Sequence, residues 1–175
     1  MSAVPVVSVV GHSNVGKTTL MERLIGELKR RGLRIATIKH DVYDFDIDRP
    51  GKDSWRHAQA GSDLVVIASP HRVAMIARTE QELRLDEIVA RLPLEVDLVL
   101  TEGYKREDKP KIEVLRAACG RELLSREEEL LALVTDQVYP GLGVPQYSLE
   151  DIAGLADRLV AWLAEYPSHS HIAGT

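Results

Sequence analysis

The stretch VVSVVGHSNVGKTTLMERLIGELKRRG, residues 6–32, limits what this chain can fold into more than any other feature. A β-branched apolar run meets a loop bounded by Gly11 and Gly16, and Lys17 and Thr18 open a segment with helical spacing. The pattern G-x-x-x-x-G-K-[ST] is met in full. Its chemistry depends on that spacing. A loop closing after a buried strand turns successive backbone N–H groups inward on a β-phosphate, and the helix N-terminus adds partial positive charge. Lys17 is then placed to bridge β- and γ-phosphates, and the Thr18 hydroxyl to ligate Mg2+. The residues expected to hold the nucleotide are Gly11, His12, Ser13, Asn14, Val15, Gly16, Lys17, Thr18 and Thr19.

The other apolar runs are short and β-branched rather than alternating, as strands buried on both faces of a parallel sheet require. They fall at 6–10, 34–38, 63–69, 72–77, 97–101, 111–115 and 130–135. Only Pro70 and His71 separate 63–69 from 72–77, so that pair reads as a hairpin. Leu20, Leu24, Ile25 and Leu28 share one helical face, and that helix closes on Lys29, Arg30, Arg31 and Gly32. Thr79 and Glu82 stand in capping-box spacing at the head of a helix expected over 79–92. A last helix is expected over 148–166, starting at Ser148, with Leu155, Leu159 and Leu163 inward. Trp55 and Trp162 read as packing residues. The expectation is an α/β P-loop NTPase fold: a mostly parallel twisted sheet flanked by helices, with an antiparallel hairpin addition. It is read as a single nucleotide-binding domain over 1–166 followed by a disordered tail at 167–175, where His169 and His171 lack partner ligands.

Bulk composition narrows the partners. A net charge of −5 and a pI near 5.7 give no overall field to attract nucleic acid or an anionic membrane. Cys119 is the sole cysteine, so no intrachain disulfide forms and a reducing cytoplasm is the natural compartment. The apolar run at 4–10 has no basic region before it, unlike a signal peptide. No stretch approaches the roughly 20 apolar residues of a membrane helix.

A phosphate loop also needs an acid at the end of a neighbouring strand. In DLVLTEGYK (97–105) the apolar run delivers Glu102 to the C-terminal edge, with Gly103 allowing close backbone approach; the alternative is an exposed loop acid. Asp97 lies at the opposite end of that strand. A second acidic element, 39–61, carries Asp41, Asp44, Asp46 and Asp48 within eight residues. It is no EF-hand, because the glycine is misplaced and no glutamate closes the loop. Asp44 and Asp46 read equally as a solvated loop. Asp41 follows a strand expected beside the phosphate-loop strand, where a magnesium-water ligand or a base for attacking water belongs. Beyond it, Asp53 or Ser54 is expected to cap a helix, with Arg49 and Lys52 available to an anion. Lys17, Asp41 and Glu102 are therefore the candidate catalytic residues, and Thr18, Glu102 and Asp41 the candidate metal ligands.

The base is harder to read. Asn14 is the only asparagine, so the N-K-x-D guanine motif is impossible. Asp136, after LLALVT, can accept from guanine N1 and N2 or serve as a turn residue. The residues alone leave guanine and adenine open.

Three segments together carry a resemblance: GHSNVGKTT, IKHDVYDFDIDRPGKDSWRHAQAG and LVLTEGYK. They resemble, in order and over nearly the whole chain, the molybdopterin-guanine dinucleotide biosynthesis protein B (MobB) family. The resemblance implies a homodimer that binds GTP with Mg2+ and hydrolyses it weakly. It also implies a supporting role in attaching GMP to molybdopterin, beside the nucleotidyltransferase MobA, with molybdopterin itself a candidate ligand. It places phosphate contacts at Gly11 to Thr19, the strand-end acid at Glu102, and a switch-like segment at Asp41 and Asp48–Ser54. The related MinD-like ATPases carry GKGGVGKTT; here His12 replaces the early lysine that reaches across their dimer, in keeping with slow turnover. The competing function is an ATP-dependent small-molecule kinase or ligase of the dethiobiotin-synthetase type, with Lys52 and Lys105 on the acceptor. A metallochaperone has no support, since Cys119 lacks a cysteine partner.

Overall fold

Every expected strand forms, with ends displaced by at most one residue, in a computed structural model that describes residues 4–166 apart from 42, 44 and 121. The tail at 167–175, with its two histidines, and Asp44 lie outside the described residues. The chain divides into two units, residues 1–40 with 89–175, and residues 41–88.

The first unit is built on a six-stranded parallel sheet in the order β2-β5-β1-β6-β7-β8. Its strands are β1 (Val6–Gly11), β2 (Ile35–Lys39), β5 (Leu98–Glu102), β6 (Lys111–Leu115), β7 (Leu130–Thr135) and the two-residue β8 (Gln146–Tyr147). β8 is too short to leave an apolar run and was not expected. Burial explains the order. Leu98, Val99, Leu100 and Thr101 have no exposed surface, so β5 takes an interior position. β2 has no buried residue and accordingly lies at the edge. This corrects the expectation that β2 adjoins the phosphate-loop strand: β5 stands between them.

Helices α1 (Lys17–Arg30) and α4 (Ile152–Glu165) contact each other and share one apolar core with the sheet. Leu20, Leu24 and Leu28 of α1 meet Leu155, Leu159 and Leu163 of α4 in that core, as their four-residue spacing requires. α1 ends as expected on Gly32, at φ +87°. The Gly32 N–H donates to Lys29 O and the Leu33 N–H to Leu28 O, which satisfies two of the last carbonyls. α4 begins later than expected. Residues 148–151 form a turn, with the Asp151 N–H donating to Ser148 O at 3.1 Å, so Asp151 and not Ser148 becomes the cap and accepts from the Gly154 N–H at 3.0 Å. Trp162 packs against the core, its ring 5.2 Å from that of Tyr166.

β6 carries two charged side chains that its apolar neighbours conceal in the sequence. Lys111 and Glu113 are both fully buried. Glu113 accepts from the backbone N–H groups of Leu124 (2.7 Å) and Ser125 (3.0 Å), and Lys111 donates to Glu107 O and pairs with Glu129 at 3.1 Å. Each charge is compensated in the way burial demands.

The second unit contains α2 (Asp53–Gln59), the antiparallel strands β3 (Leu64–Ser69) and β4 (Arg72–Ala77), and all but the last residue of α3 (Leu85–Val89). The hairpin forms a two-stranded sheet of its own. α2 is preceded by Lys52 without a side-chain cap; Asp53, one of the two expected caps, is its first helical residue, where its charge suits the helix dipole. Trp55 is half-buried. The helix expected over 79–92 shrinks to five residues. Leu85 is the only buried residue in that span, and a helix without an apolar face to dock is not held together by propensity. The glutamate reach-back expected from Glu82 occurs instead between Glu87 and the Arg84 N–H, at 2.8 Å. Among the described residues no helix is long and apolar enough to cross a membrane.

Candidate nucleotide site

The loop between β1 and α1 follows from a few backbone requirements. Gly11 is at φ +145°, and a Cβ there would lie 2.5 Å from the Val114 carbonyl oxygen of β6. Only glycine lets the chain leave β1 so close to its neighbour. Asn14 takes a left-handed conformation at φ 61°, which asparagine tolerates, and Gly16 does so at φ 101°. Val15 points the other way, fully buried in the core, and pins the loop between these two turns. The N-terminus of the 14-residue helix α1 follows directly.

Side chains then converge on this loop. The Lys17 ammonium donates to the carbonyls of Gly11 (3.1 Å) and His12 (2.8 Å), so it lies back over the loop. The Thr18 hydroxyl donates to Glu102 Oε1 at 2.9 Å, a contact across 84 residues of sequence. β5 makes it possible: Glu102 pairs in register with Val9 of β1, and the Gly103 N–H donates to Val9 O. The strand end is further fixed by the His40 N–H on Glu102 O and by a tilted contact of the His40 and Tyr104 rings, 4.7 Å between centroids. Tyr104 sits at φ 53°, an uncommon conformation for a residue of its size, immediately beyond this junction. Ser13, Thr18 and Thr19 are exposed, and His12 is half-buried near Gly120.

On the opposite flank of β1, at the end of β6, stands a residue that motif reading missed. Arg116 has its Nη2 3.2 Å from where a Gly16 Cβ would be, and its Nε is buried without a hydrogen-bond partner among the described residues. Asp136, past the end of β7, accepts from the Ala117 N–H at 3.0 Å, so it holds the turn that follows Arg116. The only forewarning was positional, a basic residue directly after an apolar strand. The structure thus gathers Gly11 to Thr19, Glu102 and Asp136 at the carboxyl ends of β1, β5 and β7. Asp41 belongs to the second unit, where its carboxylate accepts from the Tyr43 N–H at 3.4 Å. Asp46 and Asp48 belong there too, with Asp48 Oδ1 on the Arg49 N–H.

This donor set fits a magnesium-bound nucleotide. Thr18 and Glu102 offer two hard oxygens within hydrogen-bond distance of each other, the ligand type Mg2+ takes. No cluster of three or more His, Cys, Asp or Glu side chains that could hold a metal occurs among the described residues. Any cation would therefore be completed by phosphate and water, as is usual for Mg2+.

Comparison with known proteins identifies the family. Residues 6–136 match the family profile described as molybdopterin guanine dinucleotide synthesis protein B. The chain is 37% identical over 165 residues to the molybdopterin-guanine dinucleotide biosynthesis adapter protein of Escherichia coli, covering 91% of this chain and 94% of that protein. The protein of the same description from Haemophilus influenzae is also 37% identical, over 93% of this chain and 92% of its own. A crystal structure of molybdopterin-guanine biosynthesis protein B superposes with a TM-score of 0.70 at 32% identity, over 90% of this chain and 98% of that one. The chain belongs to the molybdopterin guanine dinucleotide synthesis protein B family.

Proposed function

We propose that this protein is a GTP-binding adapter in the formation of molybdopterin guanine dinucleotide, working as a homodimer in the cytoplasm beside a MobA-like nucleotidyltransferase. The observation that carries the nucleotide part is the Thr18–Glu102 contact at 2.9 Å, which unites the phosphate loop with a strand-end acid 84 residues away. The biosynthetic part is supported by relatives named as adapters that match over more than nine-tenths of this chain.

In this reading the loop N–H groups of residues 13–18 and the α1 N-terminus receive the β-phosphate. Lys17 exchanges its two carbonyl contacts for phosphate oxygens, and Thr18 and Glu102 turn toward the cation. Mg2+, when bound, screens the charge of the phosphates. Asp136 is the candidate acceptor for the guanine edge, and Asp41 the candidate base or water ligand. GTP binding orders the switch-like segment at 41–54, which then docks the nucleotidyltransferase or its pterin, and slow hydrolysis releases it.

The test is a titration of GTP and ATP, each with Mg2+, against the wild type and Lys17→Ala, with and without the nucleotidyltransferase. Wild type is expected to bind GTP and to hydrolyse it slowly, and Lys17→Ala to lose both. Normal GTP binding by Lys17→Ala would overturn the cradle assignment. A preference for ATP would overturn the guanine assignment, and fast turnover on adding a small acceptor would return the kinase or ligase reading.

A further inference from the structure

We propose that Arg116 is a nucleotide-contacting residue, its guanidinium gripping the phosphates common to GDP and GTP on the base side of the loop. The inference deepens the nucleotide reading above and rests on it.

Three observations place it there. First, the guanidinium lies against the second loop glycine: Nη2 is 3.2 Å from the point where a Gly16 Cβ would stand, and the central carbon 3.6 Å. Second, among the described residues no carboxylate forms a salt bridge with Arg116, and its buried Nε has no hydrogen-bond partner. Glu150, which feels its charge, is engaged by Arg23 at 2.7 Å. A guanidinium with a desolvated donor and no carboxylate bonded to it is suited to receive an anion. Third, its backbone is fixed. The Cys119 N–H donates to Arg116 O at 2.9 Å, and Asp136 holds the next residue's N–H.

The sheet order decides which part of the nucleotide it meets. Glu102 and Thr18 mark the cation side, on the β5 flank of β1. Arg116 leaves β6 on the other flank, between the loop and Asp136 at the end of β7. A triphosphate running from the cation side toward Asp136 presents its γ-phosphate to the first flank and its α- and β-phosphates to the second. Arginine suits this place, because its planar fork donates two parallel bonds to phosphate oxygens.

The experiment measures GTP and GDP affinity, each with Mg2+, for wild type, Arg116→Gln and Arg116→Lys, with thermal unfolding as the check on folding. Arg116→Gln removes the charge together with the outer part of the guanidinium; Arg116→Lys keeps the charge and removes the fork. Arg116→Gln is expected to weaken GTP and GDP by the same factor, about 10- to 100-fold, the size of a charged hydrogen bond. Arg116→Lys should recover part of it. Unchanged affinity in both variants, or a loss confined to GTP, overturns the assignment while leaving the phosphate loop intact. A wild type that binds neither nucleotide overturns the nucleotide reading itself, and Arg116 falls with it.

Discussion

Gly11 is the position where the loop has least freedom. A methyl group there meets the Val114 carbonyl oxygen at 2.5 Å and Val15 Cγ1 at 3.0 Å, and the first of these is backbone that cannot turn aside. Gly11→Ala should therefore cost about 1–3 kcal/mol of stability through backbone strain and weaken GTP binding by displacing the loop. Gly26, exposed within α1, meets nothing within 4 Å, so Gly26→Ala should instead stabilise by about 0.5–1 kcal/mol. Urea unfolding of the two variants checks the contrast; equal effects would refute the close-approach explanation. The same residues mark what a sequence discloses. Gly11 to Thr18 were legible because the phosphate-loop pattern is contiguous in the sequence, and Glu102 because an apolar run ended on it. Arg116, Lys111 and Glu113 were not, because their meaning comes from Gly16, Glu129 and the 124–125 backbone, which no spacing rule connects to them.

At the scale of elements, the β3–β4 hairpin departs most from the economy of the rest. Its register pairs Leu64 with Ala77, Val66 with Met75 and Ala68 with Val73, so Leu64, Val66, Val73 and Met75 share one face. All four are more than half exposed, whereas Val65 on the other face is buried. A two-stranded apolar sheet facing water is unstable alone and prone to association. If the chain forms the homodimer proposed above, this face is the one a second copy would cover. The double substitution Val66→Lys with Met75→Lys should convert a dimer to a monomer in analytical ultracentrifugation and leave GTP affinity unchanged; a wild type that is monomeric at tens of micromolar would rule the dimer out. The hairpin was legible in its two apolar runs and the two residues between them. The ends of α3 and α4 were not, because capping patterns recur by chance and burial at Leu85 and the turn at 148–151 chose among them.

For the whole molecule, the sheet order was the part least legible: which strand enters the middle depends on burial summed over all of them, and β5 displaced β2 from the side of β1. One largely buried ion pair also links the stability of the fold to pH. Glu129 receives the Arg126 backbone N–H, the Arg126 guanidinium and the ammonium of the fully buried Lys111. The backbone N–H of Arg126 is the largest influence, with its guanidinium and Lys111 adding to it against burial, and together they hold the carboxyl at about 2 against an ordinary 4.5. A depressed carboxyl stabilises the fold only while ionised, so its contribution is complete above about pH 4.5 and disappears as the pH falls toward 2. Glu129→Gln should therefore be less stable than wild type at neutral pH, since the buried Lys111 loses its carboxylate partner. The two proteins should then converge between pH 4.5 and 2. Urea midpoints measured across that window test the point: wild type falls more steeply than the variant. Parallel curves would mean that the acid sensitivity of the fold originates in other carboxylates and that Glu129 serves only to pack against Lys111.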